Sequence, residues 1–232
     1  MKLAIMQPYF LPYIGYWQLL NAVDEFIVYD NIKYTKKGWI NRNRILSNDK
    51  DVYITLSLKK DSDYLDIRDR FLMSDDTNNK KELNRISQLY RKAPYFNEVF
   101  PIIENIMINC NLNLFWFIYK SIVDIKNYLE INTNLIISST VDIDHSLKSE
   151  DKVISLCNSR KADIYINAIG GIELYDKDKF KDKDIDLYFI KSNKISYKQY
   201  GNEFIPWLSI LDVLMFNSKE HVIEMLSEYT LV

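Results

Sequence analysis

The chain has 232 residues, of which 47% are hydrophobic and 27% are charged. Such a chain can bury a core and is too apolar to be disordered. Its 30 Lys and Arg residues against 32 Asp and Glu residues give a net charge of −2, which argues against nucleic-acid binding by phosphate neutralisation. The cysteines, Cys110 and Cys157, provide neither a zinc-ligand spacing nor a disulfide framework. We therefore expect a globular protein of a reducing compartment that needs no metal.

The N-terminal segment predicts a βαβ unit. The apolar run 3–6 predicts a buried strand that ends at Gln7 and Pro8. Apolar residues at roughly helical spacing over 14–23 predict a helix, and 25–30 predicts a second buried strand closed by Asp30. Such a unit is normally right-handed, with parallel strands. The first apolar run is too short for a signal peptide or a membrane span, so we expect a cytoplasmic protein.

The rest of the chain alternates between predicted strands and helices. An exposed loop is expected over 31–44 and a charged surface segment over 59–76. Further strands are predicted at 51–58, 134–138, 163–168 and 186–190, and further helices at 80–91, 99–108, 112–129, 148–158, 208–216 and 219–229. The alternation predicts an α/β fold with a mostly parallel sheet flanked by helices and a helical insert near 80–130. We expect one domain over 1–232, because repeats and low-complexity linkers are absent from the sequence.

Polar residues that follow predicted strands are the candidates for a site. Ligands of open α/β sheets bind beyond the carboxyl ends of the strands, where Gln7, Asp30, His145 and Gly170 are expected. Gln7 offers paired donor and acceptor groups to a substrate. Asp30 suits a general base, a sugar hydroxyl acceptor or a simple turn cap, and His145 suits a base for an amine or hydroxyl. Each of these residues has a purely structural interpretation as well.

The loop over 31–44 combines basic side chains with an aromatic residue. Its basic side chains could receive an anionic group such as a diphosphate, since arginine binds such groups in fork geometry. They are Lys33, Lys36, Lys37, Arg42 and Arg44. Trp39 offers a stacking surface, and Asn43 offers a hydrogen-bond donor. The alternative is a solvated loop without a ligand. We expect Arg42 to share one cleft with Asp30 and Gln7.

Several segments of the chain carry a family resemblance. They are IMQPYFLPYIGYWQLL at the N-terminus, DEFIVYDNIKYTKKGWINRNRIL, YRKAPYF from Tyr90, IISST, YINAIGG from Tyr165, YKQY around Gln199, and LSILDVLMFN from Leu208. In this order they resemble the WbqC-like protein family. The shared positions are Gln7, Pro8, Gly15, Asp30, Trp39, Asn41, Arg42, Asn43, Gly170, Gly171, Gln199 and Asp212. Tyr13 stands where the family pattern has tryptophan, and Ser218 stands where it has a histidine and glycine turn.

The resemblance implies a role in building bacterial surface polysaccharide, including O-antigen. It further implies transfer of glycine or another acyl group to a sugar, without established catalytic residues. The resulting hypothesis is a cytoplasmic transferase that acts on a nucleotide-linked amino sugar with coenzyme A or acyl carrier protein as acyl donor. Asp30 or His145 would be the base, and substrate would be bound by Gln7, Lys33, Trp39, Arg42, Asn43, Gly170 and Gln199. Neither a metal nor a cofactor is expected, because such acyl transfer needs only a base and oxyanion donors.

Two alternatives remain open at the level of sequence. The first is a nucleotidyl-transferring or carboxylate-activating enzyme, which the strand–loop–helix–strand opening resembles in outline. The first loop of such enzymes usually carries histidines, whereas the loop QPYFLPYIGYW has none. The second alternative is a non-catalytic module that binds a sugar nucleotide or a carrier protein.

Overall fold

The structure, a computed structural model, describes residues 1–73, 77–201 and 203–232. The strands are β1 (Lys2–Met6), β2 (Glu25–Val28), β3 (Arg42–Ser47), β4 (Lys50–Thr55), β5 (Asn134–Ile137), β6 (Ile164–Ala168), β7 (Asp186–Ser192) and β8 (Tyr229–Leu231). The helices are α1 (Ile14–Asn21), α2 (Thr77–Tyr90), α3 (Phe96–Met107), α4 (Leu114–Tyr128), α5 (Ser149–Arg160), α6 (Lys177–Lys181), α7 (Ile210–Phe216) and α8 (Lys219–Met225).

A six-stranded sheet in the order β5-β2-β1-β6-β7-β8 forms the centre of the fold. The first five strands in this order are parallel, and β8 pairs antiparallel with β7. If only the parallel strands are counted along the chain, their order is 3-2-1-4-5, which is that of a doubly wound sheet. The predicted α/β fold with a mostly parallel sheet flanked by helices is confirmed.

The two faces of the sheet carry separate cores. Trp17 and Leu20 of α1 pack in one cluster with Ala4 of β1. Val153 and Leu156 of α5 pack in the other cluster, on the opposite face. The connection from β1 to β2 therefore runs over one face, and the connection from β5 to β6 runs over the other. The strand order reverses between β1 and β6, which makes this pair the topological switch point, where ligands of such sheets bind.

The middle of the chain is a helical insert between β2 and β5. It begins with the two-stranded antiparallel hairpin β3–β4 and continues through α2, α3 and α4. Apolar residues at helical spacing, such as Leu83 and Ile86 of α2, are buried in the cluster that also covers α1. The predicted helical insert near 80–130 is confirmed. None of the helices among the described residues combines the length and the hydropathy that a membrane span requires.

Two of the predicted segments differ from the structure. The loop predicted over 31–44 ends early, because Arg42–Ser47 is strand β3, whose inward positions include the polar Asn43. The helix predicted over 219–229 ends at Met225, and Tyr229–Leu231 is strand β8. Both strands exist through pairing with a partner strand, which outweighs the local pattern. The surface segment predicted over 59–76 includes the 3₁₀ turn Ile67–Asp69, and positions 74–76 lie outside the described residues.

Candidate functional site

Several polar residues predicted for the site lie at the carboxyl edge of the parallel sheet. Gln7 follows β1 directly, Asp30 lies two residues beyond β2, and Gly170 lies two residues beyond β6. Ser138 follows β5, next to β2 in the sheet. These strands are parallel, so their carboxyl ends share one edge. This edge is where the fold brings side chains from distant parts of the chain together.

Asp30 is a buried carboxylate, only 3% exposed, held by the end of β5. Its Oδ1 accepts hydrogen bonds from Ser138 Oγ at 2.7 Å and from the Ser139 amide at 2.9 Å, and its Oδ2 accepts from Ser139 Oγ at 2.6 Å. The Asp30 amide donates to Ser138 Oγ at 3.1 Å. These contacts fix the orientation of the Asp30 carboxyl group and join the ends of β2 and β5.

His145 is exposed and lies beside the same cluster. Its Nε2 is 3.0 Å from the Val141 carbonyl oxygen, which can only accept, so this nitrogen carries the proton. Its Nδ1 is 3.0 Å from Asn31 Nδ2 and accepts from that amide. The Asn31 oxygen is 2.7 Å from Ser138 Oγ, so a chain of polar contacts links His145 to Asp30. The two predicted catalytic residues therefore belong to one cluster.

The basic residues of the loop are placed differently from the expectation. The Arg42 guanidinium donates to the carbonyl oxygens of Gly38 at 3.2 Å and Lys37 at 2.6 Å, and it lies over the Tyr53 ring at 4.6 Å. Lys33 is exposed with its ammonium over Tyr64. Among the described residues, Arg42 has no contact with Asp30 or Gln7. Its guanidinium holds the turn that precedes β3.

Asn43 connects the hairpin to the loop that follows β1. Its side chain is 3% exposed, and its Nδ2 donates to the carbonyl oxygens of Phe10 at 3.0 Å and Leu11 at 2.9 Å. Leu11 has a φ of 42°, which is uncommon for a residue with a branched side chain. The amide of Asn43 therefore stabilises an unusual backbone turn in the loop that carries the aromatic residues of the site.

An aromatic cleft of about 280 Å³ lies between this loop and the hairpin. Its walls include Trp39, which is 38% exposed, and Trp207, which is 61% exposed. The other lining residues are Tyr9, Pro12, Tyr13, Asn43 and Arg44. The Arg44 guanidinium lies 5.7 Å from the Trp39 ring centroid, and it donates to the Trp207 carbonyl oxygen at 3.1 Å. The cation beside Trp39 is therefore that of Arg44, and Trp207 is the lining residue that the sequence analysis missed.

A second cavity of about 370 Å³ adjoins the aromatic cleft. The two cavities share Tyr13 and Trp207, whose rings meet edge to face at 6.0 Å. The second cavity extends to residues 192–197, which follow β7, and thus also lies at the carboxyl edge. Trp207 has a φ of 62°, a left-handed conformation that is rare for a bulky residue and often found at functional sites. The sequence analysis did not use the Pro-Trp pair at Pro206 and Trp207, which was the available signal for a turn here.

Gln199 belongs to a buried network around Asp212, which is fully buried. Its Nε2 donates to Asp212 Oδ2 at 2.8 Å, and its Oε1 accepts from the Ile205 amide at 2.8 Å. Asp212 also accepts from the hydroxyls of Tyr90 and Tyr197, both at 2.7 Å. Burial raises the pKa of Asp212 above its ordinary value, although the hydrogen bonds oppose this. The Gln199 side chain thus links Ile205 to Asp212 of α7, close in sequence to Tyr197 and Phe204, which line the second cavity.

Gln7 and Gly170 flank the switch point between β1 and β6. The Gln7 side chain is half-buried and makes no hydrogen bond within the described part of the chain. Gly170 is exposed, with open space where a Cβ would stand. At Gly171 a Cβ would lie 2.6 Å from Nδ2 of Asn167, so a larger residue there would displace the end of the Asn167 side chain. The switch point is therefore lined by polar groups and open backbone.

Lys152 is a further polar residue of this edge that the sequence analysis missed. It lies on the first turn of α5, is 6% exposed, and its ammonium stands 5.1 Å from the Tyr29 ring centroid. Burial lowers the pKa of Lys152, whereas Asp66 and Asp30 raise it. Buried lysines with shifted pKa values are typical of functional sites. The available sequence signal is its position four residues before Leu156, on the apolar stripe of α5.

The described residues contain no group of three or more His, Cys, Asp or Glu side chains that could hold a metal ion. Cys110 is exposed, whereas Cys157 is buried in the core beneath α5. Burial raises the pKa of Cys157 to about 12, which keeps its thiol protonated and unreactive.

Comparisons with known proteins agree with the motifs described above. The model of the WbqC-like protein family matches residues 7–224. The protein named Uncharacterized protein Rv1507c, from Mycobacterium tuberculosis, is 30% identical over 219 residues, which cover 93% of each chain. No solved structure matches the chain significantly. The family model spans Gln7, the hairpin, the helical insert and the Asp212 network, and on this evidence the chain belongs to the WbqC-like protein family.

Proposed function

We propose that the protein transfers an acyl or aminoacyl group, such as glycyl, onto the amino group of a nucleotide-linked sugar. The setting proposed for this reaction is the cytoplasmic stage of bacterial surface polysaccharide synthesis, including O-antigen. The acyl donor would be coenzyme A or an acyl carrier protein. The observation that carries the proposal is the aromatic cleft between Trp39 and Trp207.

The chemistry of the cleft suits a sugar ring. Exposed tryptophan side chains offer flat apolar faces to the C–H groups of a pyranose, and the adjoining cavities have room for two substrates. Arg44, half-buried beside Trp39, brings a cation to the cleft, and its guanidinium is held in place by Asp51 Oδ2 at 3.2 Å and by the Trp207 carbonyl oxygen. Such a combination of aromatic wall and fixed polar groups is typical of small-molecule sites.

The proposed reaction forms an amide bond and breaks a thioester. The sugar amine attacks the acyl carbonyl carbon, a base takes the proton from the nitrogen, and the carbon–sulfur bond breaks to release the thiol. His145 is the better placed of the two candidate bases because its ring is exposed, and Asn31 must release its Nδ1 before that nitrogen takes a proton. Asp30 is a positioning residue in this proposal, because its oxygens already hold Ser138 and Ser139.

The test follows the mass of the sugar. Purified protein is incubated with amino-sugar nucleotides and with acyl or aminoacyl thioesters of coenzyme A or carrier protein. We expect a stable mass increase that matches one acyl group on the sugar. Trp207→Ala should raise the KM for the sugar nucleotide, whereas Trp116→Ala, which removes an exposed tryptophan of α4, should leave it unchanged. Binding of a sugar nucleotide without turnover with any donor would instead favour a non-catalytic binding module.

Nucleotidyl transfer or carboxylate activation is the second candidate. The observation in its favour is the 3-2-1-4-5 order of the parallel strands, whose switch point commonly receives nucleotides. The assay is release of pyrophosphate from nucleoside triphosphates in the presence of sugar phosphates or carboxylic acids. Pyrophosphate release that depends on the second substrate would replace acyl transfer as the proposed reaction.

A further inference from the structure

Four polar side chains at the carboxyl edge have atoms without hydrogen-bond partners. Within the described ranges, the Lys152 ammonium, the Asn167 Nδ2, the Gln7 amide and the Tyr29 hydroxyl make no hydrogen bond or ion pair. Lys152 and Asn167 are each only 6% exposed. The unpartnered atoms of these side chains nevertheless reach solvent, so they form a group of free donors on one edge that a ligand can contact.

All four side chains lie on the α5 face of the sheet. Alternate strand residues share a face, and Leu3, Ile5, Ile27 and Tyr165 pack in the α5-side cluster. The same alternation places Gln7, Tyr29 and Asn167 on that side. Tyr29 packs against this cluster, and its ring lies beneath the Lys152 ammonium. Because β2, β1 and β6 are neighbours in the sheet, the four groups lie near the ends of these strands at the switch point, a place that we call the crevice.

The groups have the chemistry of an oxyanion site. The Lys152 ammonium, two side-chain amides and a phenol can all donate hydrogen bonds, and only Lys152 is charged. The other charged groups that act on Lys152 are Asp30, Asp66 and Arg68, and their net charge together with Lys152 is zero. The Asp30 oxygens are already satisfied by Ser138 and Ser139. A tetrahedral phosphoryl group presents three oxygens to donors from several elements, which fits this arrangement better than a planar carboxylate does.

We propose that this crevice binds a phosphoryl group of the nucleotide-linked substrate, with Lys152 as the cation and Gln7, Asn167 and Tyr29 as neutral donors. The inference rests on the proposed function only for the identity of that substrate. In this proposal the phosphate is bound at the crevice and not by Arg42 and Lys33, because the side chains of these two residues make contacts within the loop.

Calorimetry with UDP, inorganic pyrophosphate and acetate tests the site without any need for turnover. We expect UDP and pyrophosphate to bind the intact protein, and acetate at the same concentration not to bind. Lys152→Met should weaken UDP binding by roughly tenfold or more, the factor expected for one charge-assisted hydrogen bond. Lys181→Met, which removes an exposed lysine at the end of α6, should leave UDP affinity unchanged.

The same variants separate ligand binding from a structural role. Lys152→Met should unfold at the same or a higher temperature than the parent protein, because it removes a buried unpaired charge. Gln7→Glu, at a half-buried site, places a carboxylate beside the negatively charged ligand and should also weaken UDP binding. Unchanged UDP affinity in Lys152→Met, acetate binding that depends on Lys152, or failure of both phosphate probes to bind would overturn the inference. If UDP binding depends on Lys152 but no acyl transfer occurs, the phosphoryl site stands and the proposed reaction fails.

Discussion

At the scale of single residues, the polar side chains at the family motif positions fall into two groups. Some are engaged in buried hydrogen bonds, and others have no partner among the described residues. The side chains of Asn43, Gln199 and Asp212 have their polar atoms engaged in buried hydrogen bonds. Gln7 is half-buried, and its amide is unpartnered in the described part of the chain. The side chains of Asn43, Gln199 and Asp212 therefore hold loops that shape the site, whereas Gln7 is available to a ligand.

Asp212 makes stability depend on pH in a way that can be measured. Its folded pKa is raised by burial, so the folded state binds its proton more tightly than the unfolded state does. Its contribution to the free energy of unfolding is therefore present below the ordinary aspartate pKa and is lost as pH rises through the folded pKa. Asp212→Asn cannot titrate, so the stability of the parent protein relative to this variant should fall as pH rises from about 4 towards neutrality.

Urea denaturation of both proteins across this pH range measures the difference. Asp182→Asn serves as the matched control, because Asp182 is exposed at the end of α6. That variant should follow the parent protein in parallel. The quantity compared is the free energy of unfolding of the parent protein minus that of Asp212→Asn. If this difference stayed constant or increased with rising pH, the raised pKa would be contradicted.

At the scale of elements, two turns place residues other than glycine in the left-handed region. The hairpin β3–β4 turns at Asn48 and Asp49, whose φ values are 48° and 58°. Asn and Asp tolerate these angles, and such a pair between alternating residues is a signal for a two-residue hairpin that the prediction of a loop over 31–44 did not use. Lys161, with a φ of 57°, ends α5 in the same conformation without this tolerance.

Lys161→Gly should stabilise the protein. The Lys161 amide bonds back to the Asn158 carbonyl, and the Ala162 amide bonds to the Cys157 carbonyl at 2.9 Å, which is a glycine-type helix end. Glycine removes the steric cost of the Cβ in this conformation, so we expect the free energy of unfolding to rise by about 1 kcal/mol. Lys161→Ala is the matched control, because it removes the same charge and keeps the Cβ. Equal stabilities of the two variants would show that the left-handed angle costs nothing here.

At the scale of the whole molecule, β8 closes one edge of the sheet. Tyr229–Leu231 pairs antiparallel with β7, and Val232 exchanges backbone hydrogen bonds of 2.9 and 3.0 Å with Phe189. Tyr229 packs against the core, whereas Leu231 and Val232 are 42% and 47% exposed, so backbone pairing holds the C-terminal end of this strand. An uncovered β7 would present a free strand edge.

Deletion of residues 229–232 should lower the free energy of unfolding by roughly 2 to 4 kcal/mol, the sum of several backbone hydrogen bonds. It should also cause association that grows with protein concentration, because the exposed β7 edge pairs with other chains. Urea denaturation and light scattering measure the two effects. A full-length protein with Leu231→Ser and Val232→Ser keeps the backbone pairing and should behave almost as the parent protein. If that protein associates like the deletion, side-chain burial and not the strand edge is responsible.

The sequence by itself determined the strands and helices whose buried faces show as a regular spacing of apolar residues. The apolar runs of β1, β2, β5, β6 and β7 and the helical spacing of α2 to α5 were all predicted, because a buried face imposes a period on the chain. The α/β class and the helical insert follow from their alternation. The same local motifs, from Gln7 to Asp212, also carry the family resemblance, which the family match confirms.

Only the tertiary structure decided which polar groups are free. Arg42 and Arg44 are two residues apart in one basic segment, yet the first holds a turn and the second lines the aromatic cleft. Trp207 meets Trp39 and Arg44 across more than 160 residues, and Lys152 meets Tyr29 only because α5 crosses the sheet. A hydrogen-bond partner distant along the chain leaves no periodic signal in the sequence, so whether a polar side chain is engaged or available becomes visible only in the folded molecule.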